Sequence, residues 1–281
     1  MKIKDLQRTV FFQLQTAFDS GEAMVFTNML LQHYTNCNRI DLNLNPCMEI
    51  DTATQTSINQ AVADLFKHKP IQYILGETSF CGLKIKVNPS VLIPRQETEE
   101  LAMWVAGENA HAQHILDLCT GSGCIAVFLA SVLPNARLTG VDISSEGLQL
   151  AKENAVLNNQ TIDFQHNDIL QPDFCLSKKF DVIVSNPPYV RTMEKRQMHA
   201  RVLDYEPQQA LFVEDSNPLQ FYKAIAKIGK KHLTENGKLY LEINEVLGKE
   251  IVDLLQQSDY KDVVLKKDIH GKDRMVGAII K

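Results

Sequence analysis

Residues 114–142 carry the pattern that most restricts the fold. HILDL runs into the loop CTGSG, the loop opens the helix CIAVFLASVL, and RLTGVDI follows as a second strand ending near Asp142. The alternation continues to the C-terminus. SSEGLQLAKENAVLNN reads as a helix with Ser144 or Ser145 as N-cap, and TIDFQHND and FDVIVS read as strands. PLQFYKAIAKIGKKHL is an amphipathic helix for which Asn236-Gly237 supplies a C-cap signal. GKLYLEIN, VLGKEIVDLLQQS, VVLKK and RMVGAII complete the chain. Such alternation predicts an α/β fold built on a doubly wound parallel sheet.

Upstream the periodicity changes. Residues 1–75 show helical signals and little strand character, as in LQRTVFFQLQTAF and in SINQAVADLFKH, opened by Ser57. This segment holds six Lys/Arg against seven Asp/Glu, so it is near neutral. Residues 76–92, GETSFCGLKIKVNPSVL, alternate and break at Gly76, Gly82 and Pro89, which predicts a β-hairpin linker. The expected organisation is a helical N-terminal module (1–75), a hairpin linker (76–92) and an α/β domain (93–281).

With 281 residues the chain is long enough for one large domain and a smaller one without staples. A net charge of −5 argues against a molecule built around a polyanion. No apolar run approaches the roughly 20 residues of a membrane span, and MKIKDLQRTVFFQLQ mixes acids and bases too early for a signal peptide. A cytoplasmic protein is expected. The six cysteines form no CxxC and no Cys/His set with metal spacing, so they read as reduced, small apolar residues and no metal is expected.

The loop Cys119-Thr120-Gly121-Ser122-Gly123 follows a strand and precedes a helix. Its glycines let the backbone approach a ligand, and the helix N-terminus offers free N–H groups. About 20 residues on, Asp142 ends the next strand, where an acid can accept bonds from ribose hydroxyls. The loop is neither GxGxxG nor a P-loop, because no third glycine and no Lys-Ser/Thr follow. A ribose acid without a pyrophosphate cradle suits a nucleoside lacking phosphate, such as S-adenosylmethionine. Asp168, after the third strand, would then sit beside the adenine amino group.

FDVIVS runs straight into Asn186-Pro187-Pro188-Tyr189. Each proline fixes its own φ and keeps the preceding residue out of the helical region, so Asn186 and Pro187 are held extended. The Asn186 side-chain oxygen and the Pro187 carbonyl then form a pair of acceptors, and Tyr189 adds a flat face. Two acceptors suit an sp² NH₂ group that must attack a methyl. They orient the nitrogen, raise its electron density and stabilise the charge that develops on it.

On these motifs the chain resembles the HemK/PrmC family, the peptide-chain release factor glutamine N5-methyltransferases. The resemblance lies in YILGETSFCGLKIKVNPSVLIPRQETEEL (73–101), DLCTGSGCIA (117–126), VDIS (141–144), the NPPY tetrapeptide and YEPQQALF (205–212). It implies a Rossmann-like class I S-adenosylmethionine-dependent methyltransferase domain with a small all-helical N-terminal domain. It further implies that Cys119, Thr120, Gly121, Ser122, Gly123, Asp142, Asp168 and Asn186 contact the cofactor. Asn186, Pro187, Pro188 and Tyr189 would hold the glutamine of the release factor GGQ loop, while the helical module docks that partner. Four positions depart from the family pattern. Cys119 stands where the family usually has Gly, Gln96-Glu97 replace Pro-Asp, and Ile169 replaces an aromatic that often flanks the adenine.

NPPY also occurs in adenine N6-methyltransferases and in a ribosomal-protein glutamine methyltransferase, so a base amine (adenine N6 or guanine N2) or a ribosomal-protein glutamine is the alternative acceptor. The acidic balance and neutral N-terminal module favour a protein acceptor without direct nucleic-acid binding; a monomer is expected. A non-catalytic binder would have no use for paired acceptors, and an NAD-dependent oxidoreductase lacks its GxGxxG. Trp104 reads as packing, Lys230-Lys231 and Lys266-Lys267 as solvated faces, and Glu242 as structural, with a reach to the crevice as its alternative.

Overall fold

A computed structural model describes all 281 residues, which divide into two compact units. The first comprises Met1–Gly76 together with Ala200–Tyr205, and the second comprises the remainder.

The first unit holds α1 (Ile3–Leu14), α2 (Ser20–Thr35), α3 (Arg39–Leu44), α4 (Thr52–Phe66) and α5 (Ile71–Leu75). Apolar residues three and four apart, Ile3, Leu6, Val10 and Leu14, turn one stripe of α1 inward onto Leu30, Leu31, Ile58 and Leu65. The Asp19 side chain caps α2 by accepting the Gly21 and Glu22 amides. Helix α4 begins before Ser57. Asp51 caps it by accepting the Thr54 amide, and the Ser57 hydroxyl instead donates to the Ala53 carbonyl inside the helix. The polar run TATQT hides this start because its side chains are exposed or half-buried.

In the second unit β1 (Glu77–Phe80) and β2 (Leu83–Lys86) form the expected antiparallel hairpin. It is no free linker. The chain continues through α6 (Gln96–Glu108), β3 (His114–Leu118), α7 (Cys124–Val132), β4 (Arg137–Asp142), α8 (Ser145–Leu157), β5 (Asp163–His166), β6 (Phe180–Ser185) and β7 (Val190–Arg191). On α8, the Asn154 side chain accepts the Lys86 amide and donates to the Lys86 carbonyl, which fastens the hairpin to this helix. Ser144 is the N-cap of α8, its hydroxyl accepting the Gly147 amide.

Next comes α9 (Ala200–Leu203), which belongs to the first unit although its sequence had placed it within 93–281. Its Arg201 guanidinium lies over the Phe18 and Phe26 rings, 5.2 and 5.5 Å from their centroids, and pairs with Glu22. The Tyr205 hydroxyl donates to the Lys67 carbonyl at 2.8 Å. Then follow α10 (Gln208–Leu211), β8 (Phe212–Val213), α11 (Gln220–His232), β9 (Leu233–Glu242), α12 (Gly248–Gln257), β10 (Tyr260–Lys267) and β11 (Asp273–Ile280).

The main sheet has strand order β10-β11-β9-β6-β3-β4-β5. Strands β9, β6, β3, β4 and β5 pair in parallel, and β11 is antiparallel to both its neighbours. The sheet is therefore mixed at one edge, not wholly parallel. A short connection after α12 and β10 lets β11 turn back and insert beside β9. Strand β3 lies at the centre of the five parallel strands, paired on one side with β4 and on the other with β6, so the loops after all three open at one sheet edge.

Asn236-Gly237 does not cap α11. That helix ends at His232, and Leu233 already pairs with Phe180. The register then jumps from Phe180↔Leu233 to Val182↔Lys238, so residues 234–237 bulge out of β9 with Asn236 in the left-handed region (φ 58°). An Asn-Gly pair marks a left-handed turn in either setting. No helix is long and apolar enough to cross a membrane.

Candidate active site

The glycine loop leaves β3 with three positive φ values: Cys119 at 59°, Gly121 at 53° and Gly123 at 77°. A Cβ on Gly121 would meet nothing within 4 Å, so its backbone is bare toward the open space beyond β3. A Cβ on Gly123 would come within 3.0 Å of the Ala151 Cβ, so this glycine serves the packing of α7 on α8. Cys119 occupies a conformation natural to glycine, which explains the family preference it departs from. Burial pushes its thiol well above the ordinary cysteine range, and Asp142 and Asp117 add to that.

Two acids fix the loop. Asp142 accepts the Gly121 amide at 2.8 Å and the Ser144 amide at 2.9 Å, which ties the ends of β3 and β4 together. Burial still raises its carboxyl above the usual range, because desolvation outweighs those bonds. Asp117 takes the Thr120 hydroxyl at 2.6 Å on one oxygen and has no partner on the other. Burial pushes Asp117 to about 7.

On the other side of β3, Ser185 donates to the Leu118 carbonyl at 2.6 Å, holding the end of β6 level with the glycine loop. Asn186 comes next. Its Nδ2 donates to Thr98 Oγ1 (3.1 Å), Thr98 Oγ1 donates to Glu242 Oε2 (2.6 Å), and the Tyr189 hydroxyl donates to Glu242 Oε1 (3.0 Å). The Tyr189 carbonyl accepts from Asn244, whose side chain also donates to Glu194. Neither Asn186 Oδ1 nor the Pro187 carbonyl takes a bond within the chain.

The LIPR segment ahead of α6 is held by Glu206 of the YEPQ segment. This buried carboxylate accepts the Ile93 amide at 3.2 Å and pairs with Arg95. Both segments thereby contribute to one cavity of about 500 Å3, whose walls include Val91, Pro94, Thr98, Ile125, Ile143, Ile169, Leu170, Pro207 and Phe221. Of the residues expected at the site, Cys119, Thr120, Gly121, Ser122, Asp142, Asp168, Asn186 and Pro188 line this cavity. Gly123, Pro187 and Tyr189 do not. The Asp168 carboxylate already accepts from the Leu170 amide and the Gln171 side chain, at 2.9 and 2.8 Å. Ile169 is buried and contributes aliphatic surface where an aromatic had been the family habit.

Asp142, Glu146 and Asp168 line the cavity, whereas no Lys, Arg or His does. A phosphate-bearing cofactor would meet repulsion here; a nucleoside with a positively charged tail fits. S-adenosylmethionine has that chemistry. Sequence reasoning missed Thr98, Arg95 and Glu206 as supports of the site. Their signal was present in LIPRQETEEL and YEPQ, but it carries no local periodicity and depends on contacts such as Ile93 with Glu206, 113 positions apart.

Comparison with known proteins agrees with this chemistry. The family model "Methyltransferase small domain" matches residues 98–214, and "PrmC N-terminal domain" matches residues 5–76. The chain is 47% identical over 275 residues to the release factor glutamine methyltransferase of Flavobacterium psychrophilum, covering 96% of each chain. It is 39% identical to that of Bacteroides thetaiotaomicron, covering 94% of this chain and 95% of the relative. Among solved structures, the hMettl16 catalytic domain superposes with a TM-score of 0.55 at 15% identity, covering 81% of this chain and 82% of that one. A methyltransferase from Pyrococcus furiosus gives 0.50 at 17%, covering 82% and 98%. Those two likenesses establish the fold as that of a Rossmann-like methyltransferase. With sequence relatives matched over more than nine-tenths of both chains, the chain belongs to the release factor glutamine methyltransferase family, enzymes that use S-adenosylmethionine.

Proposed function

We propose that the protein transfers a methyl group to the side-chain amide nitrogen (N5) of the glutamine in the GGQ motif of peptide chain release factors. The observation that carries this reading is the state of Asn186. It lines a cationic-ligand cavity, its NH₂ end is engaged by Thr98, and its oxygen is free.

S-adenosylmethionine, when bound, supplies an electrophilic methyl on a sulfonium. In this reading Asp142 binds the ribose hydroxyls, Asp168 faces the adenine edge, and residues 119–122 cradle the methionine part. Asn186 Oδ1 and the Pro187 carbonyl accept the two N–H bonds of the glutamine amide, which localises electron density on its nitrogen. No strong base is needed, because the proton becomes acidic only once the nitrogen is alkylated. The Tyr189 hydroxyl is anchored by Glu242, which leaves the half-buried ring as a flat guide beside the acceptor. The helical first unit docks the protein partner, and the enzyme acts as a monomer without direct nucleic-acid contact.

The test incubates the enzyme with methyl-labelled cofactor and a release factor, or with DNA or RNA. Label is expected in the release factor and is lost when its GGQ glutamine becomes alanine; label in nucleic acid instead would overturn the assignment. Asn186→Ala removes one acceptor and should lower kcat about 100-fold or more while cofactor affinity changes little. Normal turnover by that variant would rule out the two-acceptor arrangement.

A further inference from the structure

The two ends of the Asn186 amide are chemical opposites, and only one of them serves an incoming NH₂ group. Both Glu242 oxygens are acceptors, one facing Thr98 and the other Tyr189, whereas a threonine hydroxyl has a single hydrogen to give. Glu242 Oε2 lies 2.6 Å from Thr98 Oγ1 and takes that hydrogen. Thr98 is left with lone pairs only, so the end of Asn186 that faces it at 3.1 Å must be the NH₂. The oxygen is thereby turned away from Thr98. The flipped amide would set Asn186 Oδ1 against the lone pairs of Thr98, and would meet the substrate with a donor where an acceptor is required.

We infer that Glu242 and Thr98 form a positioning pair that sets the polarity of the Asn186 amide for methyl transfer. The inference rests on the proposed reading that an sp² NH₂ is the acceptor. Thr98 and Glu242 are 2% and 1% exposed, so water does not compete for either bond. Both bonds to Glu242 come from neutral hydroxyls, Thr98 and Tyr189; burial raises its carboxyl above the usual range, and those bonds and the nearby Arg274 charge only oppose that rise. A fully buried carboxylate held this way gains little stability from its partners, and keeping one beside a reactive side chain is what a functional requirement would select. Tyr189 fixes the second oxygen, so Glu242 cannot rotate away from Thr98.

The test uses the full-length enzyme, labelled cofactor and a release factor, with cofactor affinity measured separately by calorimetry. Thr98→Val keeps the shape and deletes the hydroxyl; it should lower kcat about 10- to 100-fold with the cofactor Kd within about threefold of wild type. Thr98→Ser restores the hydroxyl and should recover turnover to within about threefold of wild type. Glu242→Gln can offer NH₂ to Thr98, so it should lose kcat about tenfold, and the double variant should be no worse than Thr98→Val alone. A purely structural pair would instead lower thermal stability and cofactor affinity together with kcat. Wild-type turnover in Thr98→Val, or a double variant whose loss equals the product of the single losses, overturns the pair. Should Thr98→Val fail to fold, Glu242→Gln decides alone: lowered kcat at unchanged cofactor affinity supports the pair, and full turnover overturns it. The wild-type control reports which acceptor is methylated, and the variant-to-wild-type ratio on that acceptor reports the pair, so the two ideas fail separately.

Discussion

Asp117 has no exposed surface, one oxygen bonded to Thr120 and the other unpartnered. Desolvation raises its folded-state pKa from 3.8 to about 7. Its unfolded-state value lies near the ordinary one, so between those two pH values the folded protein holds a proton that the unfolded chain has released. Stability therefore falls as pH rises toward about 7 and stays low above it, by on the order of 4 kcal/mol at about 1.4 kcal/mol per unit. Without ligand, the melting temperature of the wild-type protein should drop between about pH 4 and about pH 7 and level off above, and Asp117→Asn should flatten much of that slope. Because the cofactor is cationic, its stabilising effect should be larger at the higher pH. A wild-type slope that survives unchanged in Asp117→Asn would mean that another group carries it. The same residue-scale logic explains what the letters alone left hidden at Cys119. The sequence shows a cysteine in a glycine's place, but only the backbone angle of 59° shows why glycine is usual there.

Among the elements, those at the C-terminal edge of the parallel strands were the most legible. The glycine loop, Asp142 and NPPY each follow a strand, and parallel pairing brings strand ends to one edge however far apart they lie in sequence. What stayed illegible was fixed by contacts that leave no local trace. The Asn186–Thr98 bond spans 88 positions, and the capping of α4 by Asp51 was masked by a polar run. Helix α9 is the clearest case, since ARVLDY has no feature that distinguishes it from the rest of the second unit. Its attachment to the first unit rests on Arg201 over Phe18 and Phe26, with Glu22 beside it, and on Tyr205. Removing a half-buried guanidinium from two aromatic faces costs about 1–2 kcal/mol locally. Arg201→Ala should therefore speed hydrogen exchange across residues 200–205 and make that stretch more sensitive to protease, while α6 and α7 exchange as before. Equal protection in the variant and the wild type would show that Arg201 does not hold the segment.

At the scale of the whole molecule, the two units carry separable chemistry. Every residue lining the cavity comes from the second unit, and the first unit is a helical core with its own apolar centre. If the cavity binds the cofactor and the helices recognise the protein partner, each ligand should leave its mark on a different part of the chain. Hydrogen exchange on the intact protein reads this directly. Saturating S-adenosylmethionine is expected to slow exchange in residues 119–125, 142–147 and 167–170, because ordering a loop by a bound ligand raises its local opening free energy. The amides of α1, α2 and α4 should be unaffected. Adding a release factor should then slow exchange in those helices without releasing the cofactor-dependent protection. Helices protected by cofactor alone would contradict the division, and helices left unprotected by a release factor that is nonetheless methylated would remove the docking role from the first unit.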